Sequence, residues 1–276
     1  MCESAAYILK DGKEELVLED VDVLEADEDF VRLINIFGDE KRIRARIRSL
    51  SLVEHKIILE PLKEVNAMYQ DMAKKIVWLG HDGFRIDSKK TIYIDPFQIS
   101  AGPKADIILI SHEHFDHCSP DDVALIQQPG TVIVTEKDSC KKLKGDVRVI
   151  TPGQTMKLDD IKIEAVPSYN TDKDFHPKAN AWLGFVIEVE GVRIYHSGDA
   201  DFIPEMKDLK VDIALLPVSG TYVMTADQAI KAALAINPKL AIPMHYGAIV
   251  GDENDANTFK KALEGKVEVL ILKKQG

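Results

Sequence analysis

The sequence predicts an α+β protein in two parts: a small all-β domain, then a larger body of mixed sheets covered by helices. Three observations point there. The first 61 residues read as short strands and turns without a helical period, whereas from Lys74 apolar strand-like runs alternate with helical segments. The charge changes at the same place: residues 1–73 hold 17 acids and 10 bases, a net of −7, and residues 74–276 hold 29 acids and 25 bases, a net of −4. Titratable chemistry divides likewise, because only His55 of the 8 histidines precedes residue 74. The expected boundaries are 1–61 for the first domain, 62–73 for a short helical connector and 74–276 for the second domain.

In the first domain, residues 6–9 form a strand that meets a turn at Asp11-Gly12, and residues 16–18 and 21–24 read as two further strands. Residues 30–36 alternate in their second half and stop at Gly38-Asp39. Residues 42–48 have a period of two, with Ile43, Ala45 and Ile47 on one face and Arg42, Arg44, Arg46 and Arg48 on the other. A last strand covers 55–59 and ends at Pro61. This many short strands in so few residues suggest a small barrel or sandwich, marginal alone and suited to dimerisation.

In the second domain, residues 76–79, 91–94 and 106–110 read as strands, the third β-branched enough to be buried. Ser119-Pro120-Asp121-Asp122 combines an N-cap, a proline at the first helical position and early acids, which predicts a helix through Gln127. A strand at 131–134 and a helix at 136–143 follow. Strands are expected at 147–150, 161–166, 182–189 and 192–196, the last two joined by a hairpin turn at Glu190-Gly191. After a strand at 213–216, Thr225-Ala226-Asp227-Gln228 resembles a capping box that opens a helix to Ile236. A strand at 240–242, a helix at 254–263 and a strand at 267–272 complete the chain.

Composition excludes several function classes. With 45% hydrophobic and 29% charged residues, the chain can bury a sizeable core. A net charge of −11 argues against a nucleic-acid coat or a basic membrane-surface protein. No apolar run approaches the ~18 residues of a membrane span, and no leader pattern opens the chain. Cys2, Cys118 and Cys140 are too few and too scattered for a disulfide framework. The expected location is the cytoplasm.

The strongest chemical signal is Ser111-His112-Glu113-His114-Phe115-Asp116-His117, placed directly after a strand. Four ligand-type side chains within six residues suit zinc, iron or manganese, and a pair two residues apart can aim both rings at one ion. Further candidates stand at loop positions: Asp199 after Tyr195-His196-Ser197-Gly198, His245 in Pro243-Met244-His245-Tyr246-Gly247, and His176 in Asp174-Phe175-His176-Pro177. Taken alone, such an aspartate is a turn residue and such a histidine a structural one as often as a ligand. Beside the cluster, Asp199 and His245 gain weight, and His176, in a strandless loop, gains less.

The order Asp95…His112-x-His114-x-Asp116-His117…Asp199…His245 resembles the metallo-β-lactamase superfamily over residues 74–276. Trp78-Leu79-Gly80-His81, Ile94-Asp95-Pro96 and Ile242-Pro243-Met244-His245-Tyr246-Gly247 are most similar to its ascorbate-6-phosphate lactonase-like (UlaG-like) branch. The resemblance implies a four-layer αββα sandwich with the site at the rim between two sheets. It implies that His112, His114 and His176 hold one metal, that Asp116, His117 and His245 hold another, and that Asp199 bridges them. Asp95 would orient a ligand histidine through its free ring nitrogen. The implied cofactors are two divalent ions, zinc foremost, with manganese or iron also suited. Such a pair lowers the pKa of a shared water from 15.7 to about 7, for attack on a carbonyl (lactone or ester) or phosphodiester centre. Asp116 is then the expected partner for the proton of the nucleophile. Tyr169, Lys178 and Tyr246 are candidates to position a small anionic substrate. His81 either lines the pocket or ends a strand on backbone hydrogen bonds.

Two features depart from the pattern. The third lone histidine usually follows its strand directly, whereas here the strand ends in Val166-Pro167-Ser168-Tyr169-Asn170 and His176 comes six residues later. Ala200 follows Asp199 where threonine is common. The opening Met1-Cys2-Glu3-Ser4-Ala5, with Tyr7-Ile8-Leu9-Lys10-Asp11-Gly12, resembles the small CooT-like family through about residue 61. That resemblance implies an all-β homodimer and a nickel-binding module that uses Cys2, whose amine and thiolate would chelate once Met1 is removed. Two rival functions stand beside a hydrolase: a non-catalytic metal-handling or sensing protein, and RNA binding through the arginine strand. The acidic first domain disfavours nucleic acid, and pairing of the arginines with acids at 19–29 is the simpler account.

Overall fold

A computed structural model describes residues 4–10, 13–27, 30–51, 53–61 and 65–275. The chain divides into two compact units, Met1–Ala67 and Met68–Gly276. The division falls within the helix α1 (Val65–Ala73).

The first unit is one six-stranded sheet of β1 (Ser4–Lys10), β2 (Lys13–Ala26), β3 (Val31–Asn35), β4 (Glu40–Ile43), β5 (Ala45–Ser51) and β6 (Lys56–Pro61). Their order is β4-β3-β2-β1-β6-β5. Residues 13–26, expected as two strands, form one. Asp20 takes a positive φ of 55° and the pairing slips between Val21 and Val23, so a bulge bends the strand without ending it. The arginine run, expected as one strand, is two. Arg44 separates β4 from β5, and these are opposite edges of the sheet. One residue cannot span an open six-stranded sheet, so the edges must meet at that corner and the sheet must curl into a barrel-like form. Ala6, Leu18, Val31, Leu33, Ala45, Ile57 and Leu59 fill it. Outside, Arg32 binds Glu25 and Glu40, Arg46 binds Glu60, and Arg42 lies 3.6 Å from Asp27 and over the Phe30 ring.

The second unit has two sheets. The first contains β7 (Ile76–Gly80), β8 (Gly83–Asp87), β9 (Thr91–Ile94), β10 (Ile107–Leu109), β11 (Val132–Thr135) and β12 (Asp146–Val149) in simple succession. The second runs in order from β13 (Thr155–Leu158), β14 (Ile161–Pro167), β15 (Leu183–Val189) and β16 (Val192–His196) to β17 (Ile213–Pro217), β18 (Leu240–Met244) and β19 (Glu268–Val269). Strand alternation explains the layers. Ile92, Ile94, Ile107 and Leu109 face a core shared with Ile163, Phe185, Ile187 and Ile194 of the second sheet. The intervening Tyr93 and Ile108 face the other way, onto Val123 and Ile126 of α2 (Pro120–Ile126). α3 (Lys137–Cys140) is a single turn where a longer helix was expected. α4 (Ala226–Ile236) and α5 (Glu253–Leu263) lay Ala229, Ala233, Phe259 and Leu263 into the core beside the second sheet. This is the αββα sandwich.

Strand direction then gathers the loops. β7 and β9 are each antiparallel to β8, and β9 is parallel to β10, so all three end at one edge of the first sheet. β14 and β16 are each antiparallel to β15, and β16, β17 and β18 are mutually parallel, so all four end at one edge of the second. Every candidate ligand of the motifs follows one of these strand ends, and His196 is the last residue of β16.

Candidate metal centre

Two sets of donors form at that rim. In the first, the ligand atoms of His112, His114 and His176 lie within 4.8 Å of one another. His112 Nε2 is 3.0 Å from His114 Nδ1, as the two-residue spacing in one loop allows. His176 arrives from the long loop after β14, and Asn170 explains how. The Asn170 side-chain oxygen accepts from the His176 backbone N–H at 3.0 Å and from its Nδ1 at 2.9 Å, while Asn170 Nδ2 donates to the Tyr222 carbonyl. The asparagine thus stands at the strand end and carries the histidine inward.

In the second set, His117 and His245 converge with Asp199, and with His81 and Asp82. The His117 and His245 rings are each aimed by a partner on the far nitrogen. Asp95 Oδ2 accepts from His117 Nδ1 at 2.9 Å, and Asp95 is itself fixed by the Ser111 amide at 2.7 Å and the Ser111 hydroxyl at 2.5 Å. Ser219 Oγ is 2.8 Å from His245 Nδ1, and Ser111 Oγ is 2.9 Å from His112 Nδ1. Asp116 stands at the margin of this set, with Oδ2 3.1 Å from His81 Nε2 and 3.9 Å from His117 Nε2.

Asp199 lies between the sets. Its Oδ2 is 3.1 Å from His176 Nε2 and 3.4 Å from His245 Nε2, and its Oδ1 is 3.3 Å from His117 Nε2. The loop that delivers it needs Gly198, which has a φ of 57° and whose absent Cβ would stand 2.6 Å from the Leu183 carbonyl.

The electrostatics follow from burial against pairing. Burial opposes the charged forms of Asp199 and His117. Nevertheless the mutual attraction of these two, with help from His245 and Asp95, holds Asp199 well below and His117 well above their usual ranges. His245, likewise buried, is raised to about 9 by Asp199 and Asp82. Burial and neighbouring imidazoles lower His112 and His114, which favours the neutral form a metal ligand needs. Burial raises Asp82 well above the carboxylate range.

The residues fit a cation. Buried polar atoms without a well-directed hydrogen bond collect here: His81 Nδ1, both oxygens of Asp82, His117 Nε2, His176 Nε2, Asp199 Oδ1 and His245 Nε2. So many orphaned lone pairs at one point are costly unless something positive sits among them.

The other candidates lie further out. Lys178 Nζ donates to the Tyr169 hydroxyl at 3.1 Å and to Glu205 at 2.9 Å, and Tyr169 also binds Glu205, so this lysine already has its anion. Tyr246 packs on Trp78 with ring centroids 4.8 Å apart, and burial pushes its phenol up to about 12. His196 is structural: Nε2 donates to the Asp82 carbonyl and Nδ1 accepts from the Gly198 amide. Cys2 lies outside the described residues, as does the Asp11-Gly12 turn. Asp82 was not foreseen. A single aspartate after a histidine has no spacing that separates it from a turn residue.

Fold and donor set together define a metal-dependent hydrolase. Residues 75–245 match the Beta-lactamase superfamily domain, and residues 1–60 match the CO dehydrogenase accessory protein CooT. A UPF0173 metal-dependent hydrolase of Thermococcus onnurineus is 35% identical over 72% of this chain and 96% of its own. One from Archaeoglobus fulgidus is 33% identical, with the same coverage. A solved structure from Parabacteroides distasonis is 38% identical and superposes with a TM-score of 0.66, covering 72% of this chain and 93% of its own. The chain belongs to the metallo-β-lactamase superfamily.

Proposed function

We propose that this hydrolase is binuclear and acts on a small anionic lactone, ester or phosphodiester. The observation that carries the reading is the position of Asp199, one carboxylate facing histidines of both sets. His112, His114 and His176 would hold one ion, Asp116, His117 and His245 the other, and Asp199 would join them. When bound, such a pair supplies a hydroxide at neutral pH and a Lewis acid for the developing oxyanion. Asp95, Ser111, Asn170 and Ser219 fix the rings, so that little rearrangement accompanies the reaction. Asp116, whose Oδ2 is 3.1 Å from His81 Nε2, would take the proton of the nucleophile. A cavity of about 470 Å³ lined by His81, Trp78, Tyr246, Lys273, Lys274 and Glu253 has room for a small molecule, with two lysines against one glutamate.

Elemental analysis should give two divalent ions per chain, with hydrolysis of an aryl ester, a lactone or an aryl phosphodiester. Activity that persists in a metal-free His114→Ala/Asp116→Ala variant would overturn the reading. For the first unit we propose a nickel-binding, dimer-forming module acting through Cys2, on the strength of its match to CooT. Nickel titration of the Cys2→Ser variant tests it, and unchanged binding would refute it. RNA binding has little support, because the arginines divide between two edge strands and Arg42 and Arg46 face acids.

A further inference from the structure

Asp82 belongs to no motif, yet it is among the most enclosed charged side chains in the protein. It follows His81 in the turn between β7 and β8, is fully buried, and neither carboxylate oxygen meets a hydrogen-bond donor. A carboxyl group so placed either takes up a proton or, ionised, needs a positive partner or a coordinated ion. No neighbouring imidazole pairs with it by a hydrogen bond. Asp82 Oδ2 lies 3.9 Å from His117 Nδ1, but that nitrogen already serves Asp95. Nδ1 of His245 is beside Ser219, and both nitrogens of His196 are engaged. For the ionised form a cation is the fitting partner, and the geometry offers one a place: donor atoms of Asp82, His117, Asp199 and His245 all lie within 4.8 Å of one another.

Resting on the binuclear reading, we propose that Asp82 is a further ligand of the second metal position and makes it the harder of the two. The first position is built from three imidazoles. The second sets Asp82 and Asp199, with Asp116 at the margin, beside two imidazoles. Imidazole sites suit zinc, whereas carboxylate-rich sites suit manganese. The two positions therefore differ in preference, and the protein takes zinc at the first and manganese at the second when both are offered.

The test uses the full chain, stripped of metal, loaded with one equivalent of zinc and titrated with Mn(II), with free Mn(II) followed by electron paramagnetic resonance. The wild type should bind one Mn(II) tightly over the zinc. Asp82→Asn, which keeps the shape, should keep its zinc and bind Mn(II) about 10- to 100-fold more weakly. Unchanged Mn(II) affinity in Asp82→Asn overturns the assignment while leaving the binuclear centre intact. A wild type that binds neither ion overturns the binuclear reading itself. Should the amide disturb folding, Asp82→Ser, with room for a water, gives the same comparison.

Discussion

Asp95 shows how much of the site rests on residues that touch no substrate. Its two oxygens accept from the Ser111 amide, the Ser111 hydroxyl and His117 Nδ1. Asp95→Asn keeps the shape but turns one acceptor into a donor, so His117 loses its fixed tautomer. Metal affinity or activity should fall about 10- to 100-fold, measured by chelator competition and by rate, with the melting temperature little changed. Gly198→Ala should act through the backbone instead. The new methyl meets the Leu183 carbonyl in a left-handed turn, and stability should fall by about 2–4 kcal/mol, read from denaturant unfolding. What the sequence reveals at this scale depends on spacing. His112, His114, Asp116 and His117 announce themselves because they are close in the chain. His176 depends on Asn170, six residues away, and Asp82 on a pocket assembled from five loops, and neither relation leaves a local pattern.

Secondary elements were legible where a local signal fixes them. The Thr225 cap, with Gln228 returning the bond, was readable from four letters and is present in the structure. Thr225→Ala should cost about 1 kcal/mol, measured by thermal unfolding. β8 and β13 are not marked in the sequence, because Gly83-Phe84-Arg85-Ile86-Asp87 and Thr155-Met156-Lys157-Leu158 are short and interrupted by charges; in β8 Arg85 binds Asp87 of the same strand. The arginine run misled for the opposite reason: its period continues through a corner that only the sheet order reveals. Arg193 of β16 ties two further strands by binding Glu164 of β14 and Glu188 of β15. Its hydrogen bond is the main cause holding the Glu164 carboxyl below its usual range. A depressed carboxylate stabilises the fold above its unfolded pKa and loses that contribution as pH falls through the folded one. Arg193→Met should therefore destabilise by about 0.5–1 kcal/mol at pH 7, and the difference from wild type should shrink as pH drops below about 4. Urea titrations at pH 7 and pH 3.5 check this, and a difference that grows on acidification would refute it.

For the whole molecule, the division of charge along the sequence corresponds to two units with separate cores, one of seven buried apolar residues among those described and one that joins both sheets of the sandwich. Separate cores imply separate unfolding transitions, and the candidate centre belongs only to the larger unit. Metal bound to a folded site stabilises it by mass action, about 2.7 kcal/mol when free ion stands at a hundred times its dissociation constant. That dissociation constant already includes the relief of the orphaned oxygens and nitrogens that stay buried at the rim without an ion. Calorimetry of metal-free protein with added zinc should therefore raise the larger, second-unit transition by several degrees and leave the smaller one where it was. His114→Ala should abolish most of that shift without altering the smaller transition. If zinc moves both transitions equally, or if the shift survives removal of His114, the ion is acting somewhere other than the rim, and the two-unit account of stability fails with it.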